Sequence, residues 1–183
     1  IFQLNNEMRF IIYNSDLKKP FRKFLRSIIL GILTNNGKKI FIDDNTWSIL
    51  YSKEIKEILP EAKFIHVIRD PRDVVASMIS QRWTPSELNN CILYYSSIMD
   101  KIIDNKELLD KDSIFEFKLE FMVKNRQGII KKICEFINIK YNKKLLDINL
   151  NKHNSNRWKK DFSKEEKRIV NKRLNKYIKY YKY

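Results

Sequence analysis

Apolar residues recur along this chain with two different periods, and the switching between them predicts the order of elements. From 17 to 33, Leu17, Phe21, Phe24, Leu25, Ile28 and Ile29 return every three or four positions, the spacing of a helix. NNGKK (35–39) reads as a turn and KIFID (39–43) as a short strand. NTWSILYSKEIKEILP (45–60) reads as a helix capped by Asn45 or Thr46 and stopped by Pro60. KFIHVI (63–68) is a nearly unbroken apolar run, the pattern of a strand covered on both faces. Helices are expected from about Pro71 to Gln81 and from Pro85 to about Asn105, then a strand at SIFEFK (113–118). A helix over 125–139 places Ile129, Ile130, Ile133, Phe136 and Ile137 on one side. The last helix runs from about Ser163 to Tyr180, and Ser163-Lys-Glu-Glu166 has the form of a capping box. Strands alternating with helices predict an α/β fold with a mainly parallel sheet. Ligands in such sheets bind at the carboxyl ends of the strands, beside helix N-termini.

That rule directs attention to FIHVIRDPRDVVASM (64–78). The strand ends at Ile68, so Arg69 emerges at the carboxyl edge of the sheet. Asp70 is placed to cap the next helix, Pro71 suits its first turn, and Asp73 adds negative charge where the helix dipole favours it. Val74, Val75, Met78 and Ile79 form the expected buried stripe, while Ser77 shares a polar face with Asp73 and Ser80. An arginine holds a phosphate with two parallel hydrogen bonds and a serine hydroxyl adds a third. Pairing of Arg69 and Arg72 with Asp70 and Asp73 satisfies the same spacing, and spacing alone does not decide between the two.

Charge changes the picture only in part. The chain has 183 residues and a net charge of +15, and residues 151–183 hold 12 basic against 3 acidic side chains. An anionic ligand is favoured over a cationic one. A solvated, lysine-rich final helix explains the same concentration. No repeat or Pro/Gly/Ser-rich linker divides the sequence, so 1–183 reads as a single domain that includes the basic segment 151–183. Cys91 and Cys134 sit in apolar helical patterns and read as core thiols of a reducing compartment. His66 and His153 are too few and scattered for a metal site. His66, inside its strand, reads as a satisfied core histidine. The longest unbroken apolar candidate, SIILGIL (27–33), is too short to span a membrane. A cytoplasmic location is the expectation.

The 17 residues AKFIHVIRDPRDVVASM (62–78) resemble the 3′-phosphate-binding segment of the sulfotransferases that use 3′-phosphoadenosine 5′-phosphosulfate, PAPS. In that family a strand ends in Arg, an Arg-Asp-Pro-Arg-Asp turn follows, and a Ser stands eight residues beyond the Arg. The resemblance implies that Arg69 and Ser77 bind the 3′-phosphate of the donor. It also implies a three-layer fold like that of the P-loop NTPases, and no metal. SIFEFKLEFMVKNRQGIIKKICEFINI (113–139) resembles a later strand, turn and helix of the family, with Glu120 matching a Glu of the turn. Leu119 and Phe121 stand where the family has an aromatic and an Asp, so no adenine-stacking role is carried over. NSNRWKK (154–160) is similar to a C-terminal Arg-Trp element, which makes Arg157 and Lys159 further candidates for phosphate contact. Trp158 docked as core explains that element equally.

The resemblance implies an enzyme moving a sulfonate group to a hydroxyl or amine on a small-molecule, carbohydrate or lipid acceptor. The family's glycine-rich phosphosulfate loop finds no counterpart among Gly31, Gly37 and Gly128. It would precede Ile1, so the chain is expected to be a C-terminal part of such an enzyme, inactive alone and without its catalytic base. Two other readings stay open. One is a basic α/β module binding nucleic acid or a nucleotide without catalysis. The other is a P-loop kinase of related fold.

Overall fold

The computed structural model describes residues 15–147 and 155–183. His153 and Asn154, and with them the start of the basic segment 151–183, lie outside the described residues. The chain divides between Ala62 and Lys63 into two compact units.

In the first unit, helix α1 (Ser15–Asn35) closes where the turn signal stands. The Lys38 amide donates to the Leu33 carbonyl at 2.8 Å and Gly37 takes a φ of 59°. This is the left-handed helix end that glycine adopts without a Cβ penalty. Helix α2 (Ser52–Ile58) is tied to α1 by Lys18 on Glu57 at 2.6 Å and by Arg26 on Glu61. The expected strand at 39–43 is not formed. Ile40, Phe41 and Ile42 are exposed, and a strand exists only with a ladder partner, which this run lacks among the described residues. The helix expected from Asn45 also starts later. Asn45 Oδ1 accepts from the Trp47 amide at 2.9 Å and Asp43 accepts from the Ser48 hydroxyl at 2.7 Å. These local bonds favour a turn and one 3₁₀ turn (Ser48–Tyr51) before α2 begins.

The second unit is built on two parallel strands, β1 (Phe64–Ile68) and β2 (Ile114–Lys118), with Phe64 opposite Ile114 and Ile68 opposite Lys118. Helices α3 (Pro71–Ile79) and α4 (Leu88–Glu107) connect them, the crossover that parallel strands require. The strand's apolar run predicts cover on both faces. Here only the Phe64 and Ile68 side is buried, and Ile65 and Val67 are exposed. In α3 the buried positions are Pro71, Asp73, Val75 and Ala76, and of the expected apolar stripe Val74, Met78 and Ile79 are only half-buried. α4 starts at Leu88 rather than Pro85, and buries Cys91, Ile92, Tyr95, Met99 and Ile102. Cys134 is likewise buried, and both thiols are free. Burial pushes the Cys91 thiol up, away from reactivity.

After β2 come α5 (Leu119–Lys124) and α6 (Arg126–Phe136), the latter capped by Asn125 through the Gly128 amide at 3.3 Å. A four-residue helix α7 (Trp158–Asp161) precedes α8 (Lys164–Arg173) and α9 (Asn175–Tyr180). The Ser163–Glu166 capping box forms as expected. The last helix is nevertheless broken at Leu174, whose buried side chain stands between the two pieces. Val170, Leu174, Tyr177 and Tyr181 keep a continuous buried stripe across the break. Tyr177 donates to the Ser96 carbonyl at 3.1 Å and to Asp100 at 2.9 Å, and Lys176 reaches Asp100 at 2.7 Å. The basic C-terminal segment is therefore docked along α4 by its tyrosines.

His66 and Glu116 are register partners on β1 and β2, with Nδ1 2.8 Å from Oε2, and Lys106 reaches the same oxygen at 2.6 Å. Burial pushes the Glu116 carboxyl up, but the bonds from His66 and Lys106 together outweigh it and hold the group below its usual 4.5. A carboxylate lowered in the folded state stabilises above its unfolded value, and loses that contribution as pH falls through the folded one. Glu116→Gln should therefore cost about 1–3 kcal/mol at neutral pH. In thermal unfolding the difference from wild type should begin to shrink as the pH falls through 4.5 and vanish only below the lowered folded value; a difference that persists at still lower pH would assign the loss to packing instead.

Candidate functional site

The residues at the carboxyl end of β1 are arranged by three carboxylates. Asp70 caps α3, accepting from the Arg72 amide at 2.9 Å, and holds the Arg72 guanidinium through both oxygens, Nε at 2.9 Å and Nη2 at 2.7 Å. The Arg72 guanidinium carbon lies 4.2 Å from the centre of the Trp158 ring, and Nη1 reaches Asn171 at 2.8 Å. Arg72 is thus fully engaged in structure. The Asp70 amide in turn donates to Glu120 at 3.2 Å, and Glu120 accepts from the Tyr183 hydroxyl at 2.7 Å. Burial first, and then Glu120 as acceptor, push the Tyr183 phenol far up, so it stays a donor.

Asp73 is the third carboxylate and only 1% exposed. One oxygen accepts from the Asn156 amide at 2.7 Å and the other from the Trp158 amide at 3.0 Å. Asn156 has a φ of 63°, the left-handed conformation that asparagine tolerates. That turn aims the amides of Asn156 and Trp158, on either side of Arg157, at one buried acceptor. Arg69 Nη2 stands 3.9 Å from Asp73, and its side chain is 19% exposed. Both pairings open from spacing therefore occur, Arg72 with Asp70 and Arg69 with Asp73.

Along α3 from Asp73, one turn brings Ser77 and nearly another brings Ser80, all on the polar side. Ser77 is half-buried, and its carbonyl accepts from the Ser80 hydroxyl at 2.8 Å. Arg157 reaches back across this edge: Nη2 is 3.4 Å from the Ser80 hydroxyl, while Nε binds Asp161. Arg69 and Arg157 consequently border the same helix edge, one at each end, with Ser77 between. Lys159 stands apart on an exposed position, its ammonium 5.8 Å from the Trp158 ring. Trp158 itself is buried, so the Arg-Trp element packs as core through its Trp.

Two guanidinium groups and a hydroxyl along a helix edge offer several donors to an oxyanion. Among the described residues no group of three or more His, Cys, Asp or Glu is placed to hold a metal ion. No helix there is long and apolar enough to cross a membrane. An open hollow of about 310 Å³ lies elsewhere, lined by Phe115, Phe117, Phe121 and Ile129 with Lys118 and Lys132. None of the four anion-site candidates lines it. Spacing gave no sign of the Asp73 bonds to Asn156 and Trp158, because they join positions 83 and 85 residues apart.

Residues 12–143 match the family model described as the Sulfotransferase family. Arg69 and Ser77 lie inside that match, and Arg157 and Lys159 beyond it. A protein-tyrosine sulfotransferase A of Caenorhabditis elegans is 24% identical over 129 residues, which are 67% of this chain and 34% of that protein. An omega-hydroxy-beta-dihydromenaquinone-9 sulfotransferase Stf3 of Mycobacterium bovis is 24% identical over 131 residues, 65% of this chain and 34% of that one. The chain thus spans about a third of the length of the curated relatives it matches. Among solved structures, the sulfotransferase domain from the curacin biosynthetic pathway superposes with a TM-score of 0.59 at 16% identity, over 91% of this chain and 76% of that one.

Arg72→Lys keeps the charge but loses the two-point grip on Asp70 and the stacking on Trp158. It should lower the unfolding free energy by roughly 1–3 kcal/mol, read as a lower denaturant midpoint at unchanged slope. An unaltered midpoint would mean that Arg72 is not part of the frame.

Proposed function

Because the chain belongs to the sulfotransferase family, we propose that it carries the 3′-phosphate half of the donor site of a PAPS-dependent sulfotransferase. The acceptor is a hydroxyl or amine on a small-molecule, carbohydrate or lipid substrate. A hydroxyl is the better choice, since the names of both curated relatives point to one, a tyrosine and an omega-hydroxyl. One observation carries this reading: Arg69 and Arg157 border the edge of α3 that bears Ser77. A phosphate placed there meets donors, and the two carboxylates beside them are already taken, Asp73 by two amides and Asp161 by Arg157 Nε. Lys159 is the outermost contact of the set.

In the transfer, the acceptor oxygen attacks sulfur in line with the bridging oxygen of the 5′-phosphosulfate. The S–O bond to the phosphate breaks, its electron pair leaves with adenosine 3′,5′-bisphosphate, and the acceptor proton passes to a base. This chain's own share is binding and orientation: Arg69 and Ser77 hold the 3′-phosphate, so that the distant sulfonate is presented at a fixed place. The chemistry calls for no metal ion.

Adenosine 3′,5′-bisphosphate should bind the protein more tightly than 5′-AMP, as measured by calorimetry. Arg69→Ala should remove most of that preference, roughly 1.5–3 kcal/mol for a charged hydrogen-bonded contact, and Ser77→Ala about 0.5–1.5 kcal/mol. Equal affinities for the two nucleotides in the unaltered protein would sink the assignment of Arg69 and Ser77.

A further inference from the structure

We propose that Asp73 is a positioning residue of the anion site, fixing through the amides of Asn156 and Trp158 where Arg157 stands relative to Arg69. The proposal rests on the donor-site reading above and extends it to a residue that touches no ligand. A buried carboxylate is expensive unless every lone pair meets a donor. Asp73 accepts two hydrogen bonds, from the Asn156 amide at 2.7 Å and the Trp158 amide at 3.0 Å, and is ion-paired with Arg69 at 3.9 Å. The two amides flank Arg157 in sequence. Fixing both of them fixes the Cα of Arg157, and from there its guanidinium reaches Ser80 and Asp161. The same carboxylate lies beside Arg69, so one group sets the direction of both cations.

Charge strengthens the argument. Bringing Arg69 and Arg157 to one helix edge costs repulsion, and Asp73 places a negative charge beside Arg69 and against the backbone that carries Arg157. It does so without competing for a ligand, because both of its oxygens point into the Asn156–Trp158 turn. A purely structural carboxylate would hold the segment but leave the two arginines energetically independent. A positioning carboxylate couples them.

Asp73→Asn retains shape but loses the charge and one acceptor oxygen. It should weaken adenosine 3′,5′-bisphosphate binding about tenfold, the size of one lost charged contact, and leave 5′-AMP binding nearly unchanged. In a double-mutant cycle, Arg157→Ala should cost far less in the Asp73→Asn background than in the unaltered protein. Losses that multiply independently would overturn the proposal, as would an Asp73→Asn protein that discriminates the nucleotides as before. Asn156→Val offers the same test from an exposed position, because a β-branched residue resists the left-handed turn while Asp73 and Arg69 stay in place. It should reproduce the selective loss, and an Asn156→Val protein that folds and binds normally would count against the proposal. Hydrogen exchange separates this proposal from the donor-site reading. If the unaltered protein shows no preference between the nucleotides, that reading falls. Unchanged exchange of the Asn156 and Trp158 amides in Asp73→Asn overturns the positioning role whatever the nucleotides do.

Discussion

One buried carboxylate, that of Asp73, joins the end of β1 to a segment more than eighty residues away, and the arrangement of the site follows from it. Charge inside a protein is tolerated only where it is answered, and here two backbone amides and a guanidinium answer it. The answer has direction. Amides donate along one line, so the Asn156–Trp158 turn has one way to sit on α3. Asp70 does the parallel work on the other side of the turn, taking Arg72 at two points while its own amide leans on Glu120. The Arg-Asp-Pro-Arg-Asp stretch is therefore two interleaved devices. Asp70 and Arg72 with Pro71 build the helix start, and Arg69 with Asp73 meets the Asn156–Trp158 turn.

Much of this was legible before any coordinates. The strand ending at Ile68, the Asp70 cap, Pro71 in the first turn and the Ser163–Glu166 capping box are local features, decided within four residues of chain. Local rules read them correctly because no distant partner competes. The positions of Arg69 at the strand end and Ser77 on the helix are legible for the same reason, since strand, turn and helix lie in one continuous stretch. His66 also reads as satisfied, and Glu116 is the partner that satisfies it.

What was not legible depends on distant pairing. KIFID has strand composition, but composition supplies no neighbouring strand, and Ile42 is left 76% exposed. The break at Leu174 is invisible in the periodicity because the buried stripe of Val170, Leu174, Tyr177 and Tyr181 continues across it. Asp73 looked like a residue serving the helix dipole. Its larger role needs Asn156 in a left-handed turn, and neither residue announces the other. Glu120 was noticed through its family motif, yet its bonds to the Asp70 amide and the Tyr183 hydroxyl tie together three separate parts of the chain.

The distance in sequence between Asp73 and its two amides also orders events during synthesis. Closing so long a loop carries an entropic cost that local helices do not meet, and such contacts form late. On a ribosome, β1 and α3 are made long before Asn156 and Trp158 exist. Throughout that interval Asp73 has neither amide, and Arg157 is not yet in the chain. Arg69 and Ser77 can stand at their strand end and helix edge early, whereas Arg157 reaches the Ser80 end of that edge only after residues 155–158 emerge and settle. The nascent chain therefore passes through a state in which this helix edge carries one guanidinium, and the second joins it only when the 155–158 turn docks on Asp73.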